Sequence, residues 1–197
     1  MIRVAVALAL TALFCLSSPL SLRAGEVTEK IRDAIEQGIQ IVRDPKYQDG
    51  EMRDERIGQL RNVVYPLFDF PEMAKRSLGR HWRRRSQVER EEFIGLFTEL
   101  LEKNYAGKIV NYSGEKIMFA RETVEEDYAQ VDSKLIGKKE QEYSVKYKLW
   151  RVDEGWKIYD VVVENISLVN NYRAQFNRII RQSSYEDLIK RIEQKSN

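Results

Sequence analysis

The sequence is poor in the residues on which metal sites, disulfides and nucleophilic catalysis depend. Its 197 residues contain one cysteine and one histidine, Cys15 and His81. A zinc site or a histidine-based triad usually needs more of them, and no HExxH, GxSxG, CxxC or glycine-rich phosphate-loop motif occurs. Acidic side chains are numerous, but no pair of them stands out as catalytic. We therefore predict a protein that is not an enzyme, with no catalytic residue, no metal and no cofactor.

The chain also lacks an excess of charge over most of its length. It has 33 basic and 31 acidic residues, and the difference is accounted for by Arg3 and Arg23 near the start. A chain that is otherwise neutral does not attract a polyanion through its overall charge. Nucleic-acid binding is therefore not expected.

The first 24 residues have the three-part pattern of a secretory signal peptide. A short basic start, Met1–Arg3, is followed by an apolar run over 4–16 and by a more polar stretch that ends at Ala24. The apolar run is shorter than the roughly 20 residues that cross a bilayer, although a retained anchor is the alternative interpretation. We expect cleavage after Ala24 and export, which would remove the only cysteine and leave a fold without disulfides.

Hydrophobic spacing predicts helices on both sides of a strand-rich middle. Residues 25–112 have helical periodicity, with a short helix between Asp69 and Gly79 and a long one after the capping box at Ser86–Glu89. Over 115–164 the period changes to two, which predicts about four strands joined by short loops, and hence antiparallel pairing. A helical tail follows over 167–195. The prediction is a single α+β domain, 25–197, with helices packed on one face of the sheet.

Three polar features have both a structural and a functional interpretation. Asp69 is expected to cap a helix, and Asp160, inside the last strand, is expected to face solvent or to lie beside a base. Together with His81 these two are the candidates of an alternative enzyme hypothesis, in which a hydrophobic small molecule is the substrate. The run Arg80–Arg85 is expected to be a solvated turn, or alternatively a docking patch for an acidic partner or for anionic headgroups.

An ordered set of sequence blocks resembles the MlaC family, the toluene-tolerance family of periplasmic phospholipid carriers. The similar blocks are Phe68–Ala74, Leu78–Trp82, Trp156–Val161 and Ser167–Phe176. Where the family often has Glu-Gly before Val-Ser, this chain has Glu164–Ser167. The resemblance covers nearly all of the chain after the predicted leader.

The resemblance implies a curved sheet of the nuclear-transport-factor-like cone type, closed by helices around an apolar pocket. It implies a periplasmic carrier that holds phospholipid acyl tails and helps to maintain outer-membrane lipid asymmetry. Its partners would be an outer-membrane lipoprotein complex and an inner-membrane ABC transporter complex with an MCE-domain protein, and we expect a monomer. A hopanoid or another hydrophobic small molecule is the alternative cargo, and an exported adaptor with a solid core is a further alternative.

Under the carrier hypothesis the pocket is expected to be lined by apolar side chains, each of which is also compatible with ordinary core packing. The helical candidates are Phe70, Met73, Leu78, Trp82, Phe93, Phe97, Leu100 and Tyr105, and the sheet candidates are Val131, Val145, Tyr147, Leu149 and Val161. Candidates for docking or for contact with the headgroup are Arg83, Arg84, Arg85 and Arg173.

Overall fold

A computed structural model describes residues 25–47, 52–110, 114–153 and 155–196, so the predicted signal peptide lies outside the described residues. These ranges form an α+β fold, as predicted. The helices are α1 (Glu26–Arg43), α2 (Arg53–Val64), α3 (Phe70–Leu78), α4 (Gln87–Val110), α5 (Leu168–Gln182) and α6 (Tyr185–Ser196). The strands are β1 (Lys116–Glu125), β2 (Tyr128–Ile136), β3 (Glu142–Val152), β4 (Gly155–Val163) and β5 (Ile166–Ser167). In these ranges, no helix combines the length and the apolar character needed to span a membrane.

The strands form one antiparallel sheet in sequence order, β1-β2-β3-β4-β5. The first four strands were predicted, whereas β5 is an additional two-residue strand that pairs with β4 across the turn at Glu164–Asn165. Both turn residues have positive φ, 49° and 64°, as a tight two-residue hairpin requires. Register shifts at Phe119/Arg121 and Lys148/Leu149 interrupt the ladders, and irregularities of this kind bend the strands. The result is a curved sheet.

The helix boundaries follow the capping signals of the sequence. The Asp69 carboxylate accepts a hydrogen bond from the backbone N–H three residues on, at 2.9 Å, and Ser167 does the same at the start of α5, at 3.0 Å. The Ser86–Glu89 capping box is formed reciprocally. Gly79, at φ 58°, ends α3 in a conformation that residues with a Cβ rarely adopt.

Two hydrophobic clusters hold these elements together. One lies among α3, α4, α5 and α6, and the other lies between α1 and the sheet. The helical cluster includes Met73, Leu78, Phe93, Phe97, Leu100, Leu101, Tyr172, Phe176 and Leu188. The sheet cluster includes Val27, Ile31, Ala129, Val131, Leu149, Trp156 and Ile158.

Asp160 departs from the sequence-based expectation. It neither faces solvent nor pairs with a base, because α5 packs against β4 and leaves the residue 4% exposed. Its carboxylate accepts hydrogen bonds from the Ser167 hydroxyl at 2.6 Å and from the Val169 backbone N–H at 3.1 Å. These donors at the start of α5 offset the cost of burying the carboxylate.

Candidate functional site

A cavity of about 680 Å³ lies between the helices and the later strands of the sheet. One wall comes from α2 and the residues that follow it, a second from α4, and a third from β3, β4 and β5. Pockets that enclose most of a small organic ligand have volumes of about 300–1,000 Å³, so this space is large enough for cargo. Its lining is Ile57, Leu60, Arg61, Val64, Tyr65, Phe68, Phe70, Met73, Thr98, Leu101, Glu102, Tyr105, Tyr143, Val145, Tyr147, Val161, Val163, Glu164, Ile166, Leu168 and Asn171.

The lining is mostly aliphatic and aromatic. Among the described residues that line the cavity, the charged ones are Arg61, Glu102 and Glu164. Arg61 and Glu164 are exposed, whereas Leu60 and Met73 are buried. The cavity therefore has an apolar interior and carries its charges near solvent, which suits an amphiphile better than a polar substrate.

At the mouth the apolar lining continues onto the molecular surface. Tyr143, Val163 and Ile166 are 42%, 43% and 65% exposed and all contact the cavity. They are continuous with the interior through the sheet, because Val163 is in register with both Val145 and Ile166. A hydrophobic ligand that leaves the cavity here would stay in contact with apolar side chains.

One row of the sheet shows how the cavity is limited. Tyr147 is in register with Val131 on one side and with Val161 on the other. Val131 is fully buried in the cluster under α1, while Val161 and Tyr147 line the cavity. Burial raises the pKa of the Tyr147 hydroxyl above its usual value, although a hydrogen bond with Ser133 acts in the opposite direction. Because α1 covers Val131, only the part of this sheet face that carries Tyr147 and Val161 borders the cavity.

The long helix α4 is buried on two sides, and only one of them faces the cavity. Phe93 meets Phe176 edge-on at 5.8 Å between ring centroids, and Phe97 meets Tyr172 edge-on at 5.4 Å. These aromatic contacts fill the side that faces α5 and α6. The cavity side is formed by Thr98, Leu101, Glu102 and Tyr105.

The structure brings six of the predicted lipid-binding residues together on the cavity wall and places the other seven elsewhere. The six are Phe70, Met73, Tyr105, Val145, Tyr147 and Val161. Leu78, Trp82, Phe93, Phe97 and Leu100 lie in or against the helical cluster, and Val131 and Leu149 lie in the sheet cluster.

The wall formed by α2 was not predicted from the sequence. Its apolar face, with Ile57, Leu60 and Val64, is visible in the helical spacing, but spacing does not say what that face covers. The sequence also contained no sign that the exposed Val163 and Ile166 border the cavity. Val163 follows the ordinary alternation of a strand, and Ile166 lies beside a turn.

Arg61, Glu102 and Tyr65 form a hydrogen-bonded group where the cavity wall formed by α2 and α4 reaches solvent. The Arg61 guanidinium donates to the Glu102 carboxylate through Nε, at 3.2 Å, and through Nη2, and the Tyr65 hydroxyl donates to the same carboxylate at 2.6 Å. Burial would raise the pKa of Glu102, but the hydrogen bonds from Arg61 and Tyr65 outweigh it and lower that pKa. Burial and then the bond to Glu102 raise the pKa of Tyr65 to about 12. The group is thus a guanidinium paired directly with a carboxylate, to which a neutral phenol also donates a hydrogen bond.

The four arginines predicted for docking or headgroup contact lie away from the cavity lining. Arg83 and Arg84 are exposed in the 3₁₀ turn Gly79–Arg84. Arg85 pairs with Glu89 at 2.9 Å and lies over the Tyr185 ring. Arg173 donates to the backbone carbonyl of Arg76 at 2.7 Å, across the end of α3.

The three candidates of the enzyme hypothesis are separate from the cavity and occupy structural positions. Asp69 caps α3 and accepts a hydrogen bond from the Trp150 indole at 2.9 Å. His81 lies 3.0 Å from the side-chain oxygen of Asn177, and Asp160 is held at the start of α5. Across the parts of the chain that the structure describes, no three His, Cys, Asp or Glu side chains are grouped to hold a metal ion.

Comparison with known proteins gives three concordant matches. The family model described as MlaC protein matches residues 32–194. The chain is 25% identical over 140 residues to the intermembrane phospholipid transport system binding protein MlaC of Haemophilus influenzae, a match that covers 68% of this chain and 65%, just under two thirds, of that protein. A phospholipid-binding protein from Ralstonia solanacearum, solved in complex with a phospholipid, has a TM-score of 0.76 at 19% identity, covering 86% of this chain and 96% of that one. At that identity the structural match shows a shared fold.

Proposed function

The chain belongs to the MlaC protein family, and from that premise we propose that it is a carrier that holds the acyl tails of a phospholipid away from water. The observation that carries the proposal is the apolar cavity of about 680 Å³, whose charged lining residues are all at least partly exposed to solvent. The Ralstonia protein of the same fold, solved with a phospholipid, supports this cargo.

The free-energy cost of exposing an acyl tail to water is large. Each methylene group transferred from an apolar environment to water costs about 0.8 kcal/mol, so a single tail of about sixteen carbons costs roughly 12 kcal/mol. A cavity lined by aliphatic and aromatic side chains removes most of that cost without any catalytic group. Lipid release then requires an acceptor that offers an equally apolar surface.

The apolar cavity walls offer no feature that would distinguish one acyl chain from another. Acyl chains offer no hydrogen bonds, and the interior presents side chains such as Met73, whose unbranched thioether adapts to irregular contents. We therefore propose loose selectivity for tail length and saturation. A hopanoid or another hydrophobic small molecule is the alternative cargo, because the same walls would accept it.

We propose the six predicted residues on the cavity wall as lipid contacts, joined by Leu60 and Leu101 from the helices. The seven predicted residues outside the lining would act indirectly, by holding the walls in place. The exposed Arg83 and Arg84 are the proposed docking residues, since exposed guanidinium groups attract an acidic partner surface.

The wider system is proposed on the same basis. As a periplasmic monomer the protein would exchange phospholipid with an outer-membrane lipoprotein complex and with an inner-membrane ABC transporter complex that contains an MCE-domain protein, and so maintain outer-membrane lipid asymmetry. The name of the Haemophilus relative, a binding protein of an intermembrane phospholipid transport system, supports this role. We propose a binding function without catalysis, which the structural roles of Asp69 and Asp160 support.

The test is to purify the protein from cells, extract it with a mild organic solvent and identify the extract by mass spectrometry. We expect phospholipid in a fixed proportion to protein, and uptake of phospholipid from vesicles by the extracted protein. Hopanoid or another lipid in the extract would favour the alternative cargo. Empty protein that takes up no lipid from vesicles would contradict the carrier function.

A further inference from the structure

We propose that Arg61 binds the phosphodiester group of the cargo at the cavity mouth and that Glu102 and Tyr65 hold its guanidinium in place for that contact. The inference rests on the proposed function, because it assigns a headgroup contact to the same cavity. It concerns residues of α2, the 3₁₀ turn after it and α4 that the sequence did not single out.

Arg61 lies on the cavity wall where a headgroup would be expected. It is the one basic side chain among the described residues that line the cavity. Its side chain is about half exposed, so it lies where the apolar interior meets solvent. A phospholipid whose tails fill the interior places its phosphodiester at this boundary, since the ester-linked phosphate directly follows the tails. Arg173, the alternative suggested by the sequence, is engaged with a backbone carbonyl across the end of α3.

The geometry of the Arg61 guanidinium suits a phosphate group. Arginine has five N–H donors in a plane. The Arg61 bonds to Glu102 use Nε and Nη2, which is one edge of that plane. Because the bonds to Glu102 occupy the Nε–Nη2 edge, the Nη1–Nη2 edge of the same plane is turned away from Glu102. Two parallel N–H groups on one edge match two oxygens of a phosphate.

The outer edge of the Arg61 guanidinium is held in place before a ligand arrives. Glu102 fixes Arg61 from one side and is itself fixed by the Tyr65 hydroxyl at 2.6 Å. The guanidinium carbon also lies 5.9 Å from the centre of the Tyr65 ring. A long side chain that is already ordered loses less conformational freedom when it binds, which strengthens the contact. Glu102 and Tyr65 are therefore positioning residues, and Arg61 is the binding residue.

The experiment compares two lipids with the same tails, phosphatidylcholine and diacylglycerol, which differ in the phosphate-containing headgroup. Affinities are measured by titration for the wild-type protein, Arg61→Gln and Arg61→Lys. The matched control is Arg191→Gln, which removes another exposed arginine of a salt bridge, that with Asp187 on α6. Thermal unfolding of each variant shows that it is folded, and loss of an exposed ion pair is expected to change stability little.

We expect the wild-type protein to prefer phosphatidylcholine by about tenfold, the effect of a charge-assisted pair that is partly exposed. Arg61→Gln should bring the ratio of the two affinities close to one while diacylglycerol still binds. Arg61→Lys should give an intermediate ratio, because lysine keeps the charge and loses the planar fork. Arg191→Gln should keep the wild-type ratio.

Each contrary outcome identifies what has failed. An unchanged ratio in folded Arg61→Gln, or equal affinities for the two lipids in the wild type, would overturn the role of Arg61 and leave the carrier function standing. Failure of the wild type to bind either lipid would instead overturn the carrier function. Displacement of phosphatidylcholine by millimolar inorganic phosphate, lost in Arg61→Gln, would assign the site to free phosphate and overturn its assignment to a lipid headgroup.

Discussion

A valine-to-phenylalanine substitution should have opposite consequences at two positions in one row of the sheet. Val131 and Val161 flank Tyr147 in register on β2 and β4. Val131 is 0% exposed beneath α1, whereas Val161 faces the cavity. The same four extra carbon atoms therefore enter a packed cluster at one position and a hollow at the other.

The magnitudes follow from that difference. Overpacking a filled core costs about 1–3 kcal/mol, so Val131→Phe should lower the melting temperature by roughly 2–12 °C in a chain of this size. Val161→Phe meets no such resistance, and the free energy of unfolding of the empty protein should change by less than about 1 kcal/mol. The added ring occupies space for about four carbons of a tail. At about 0.8 kcal/mol each, the loss is about 3 kcal/mol, which weakens phospholipid binding by about 200-fold when the tail finds no other space.

The two effects have to be measured on protein stripped of lipid. A ligand that binds only the folded state stabilises it, so loaded wild-type protein would appear more stable than a variant that binds weakly. Unfolding by urea gives the stability of each empty protein, and titration with phospholipid gives its affinity. Folded Val131→Phe should bind phospholipid with nearly wild-type affinity. The reasoning is refuted when Val161→Phe destabilises the empty protein as much as Val131→Phe and binds phospholipid as tightly.

Three further predictions concern residues that stabilise the fold around the cavity. Asp160→Asn should lower the free energy of unfolding by about 1–3 kcal/mol, measured by urea unfolding, because the buried acceptor of two hydrogen bonds is altered; lost lipid binding in folded protein would instead indicate a direct role. Gly79→Ala should cost about 1–3 kcal/mol by the same measurement, since φ is 58° there, and an unchanged stability would contradict the strain argument. The pKa of Glu102 is lowered from its ordinary 4.5 in the folded protein, so its contribution to stability is present above about pH 4.5 and is lost as the pH falls through the folded value. Acid unfolding should therefore be less steep in Glu102→Gln than in the wild type, and identical acid limbs would show that Glu102 does not contribute.

Much of the fold was predictable because its signals are local. Asp69, Ser86 and Ser167 cap helices through hydrogen bonds to backbone groups three residues away, and the alternation from 115 to 164 marks strands by side-chain direction alone. Such interactions depend on neighbours in the chain, so the sequence displays them directly. The prediction for Asp160 was wrong because α5, a remote element, covers this part of β4, which would otherwise face solvent.

The cavity lining was predictable only in part because it depends on distant elements. The sequence shows that Phe93, Phe97 and Leu101 are all apolar positions of α4, yet two of them face α5 and α6 and one faces the cavity. Likewise, Val131, Tyr147 and Val161 form one row across β2, β3 and β4, and the packing of α1 decides which part of that row is covered.

The sequence by itself determined the order of the main helices and strands, the capped helix ends, the lack of cysteine after the predicted leader, and the family resemblance. Tertiary structure alone decided which apolar side chains border empty space, that α2 supplies a wall, and that Arg61 meets Glu102 across 41 positions of the chain. The physical reason is that hydrophobic burial is not directional: periodicity shows that a side chain avoids water, and only the packing of remote elements fixes whether it meets another side chain or a hollow.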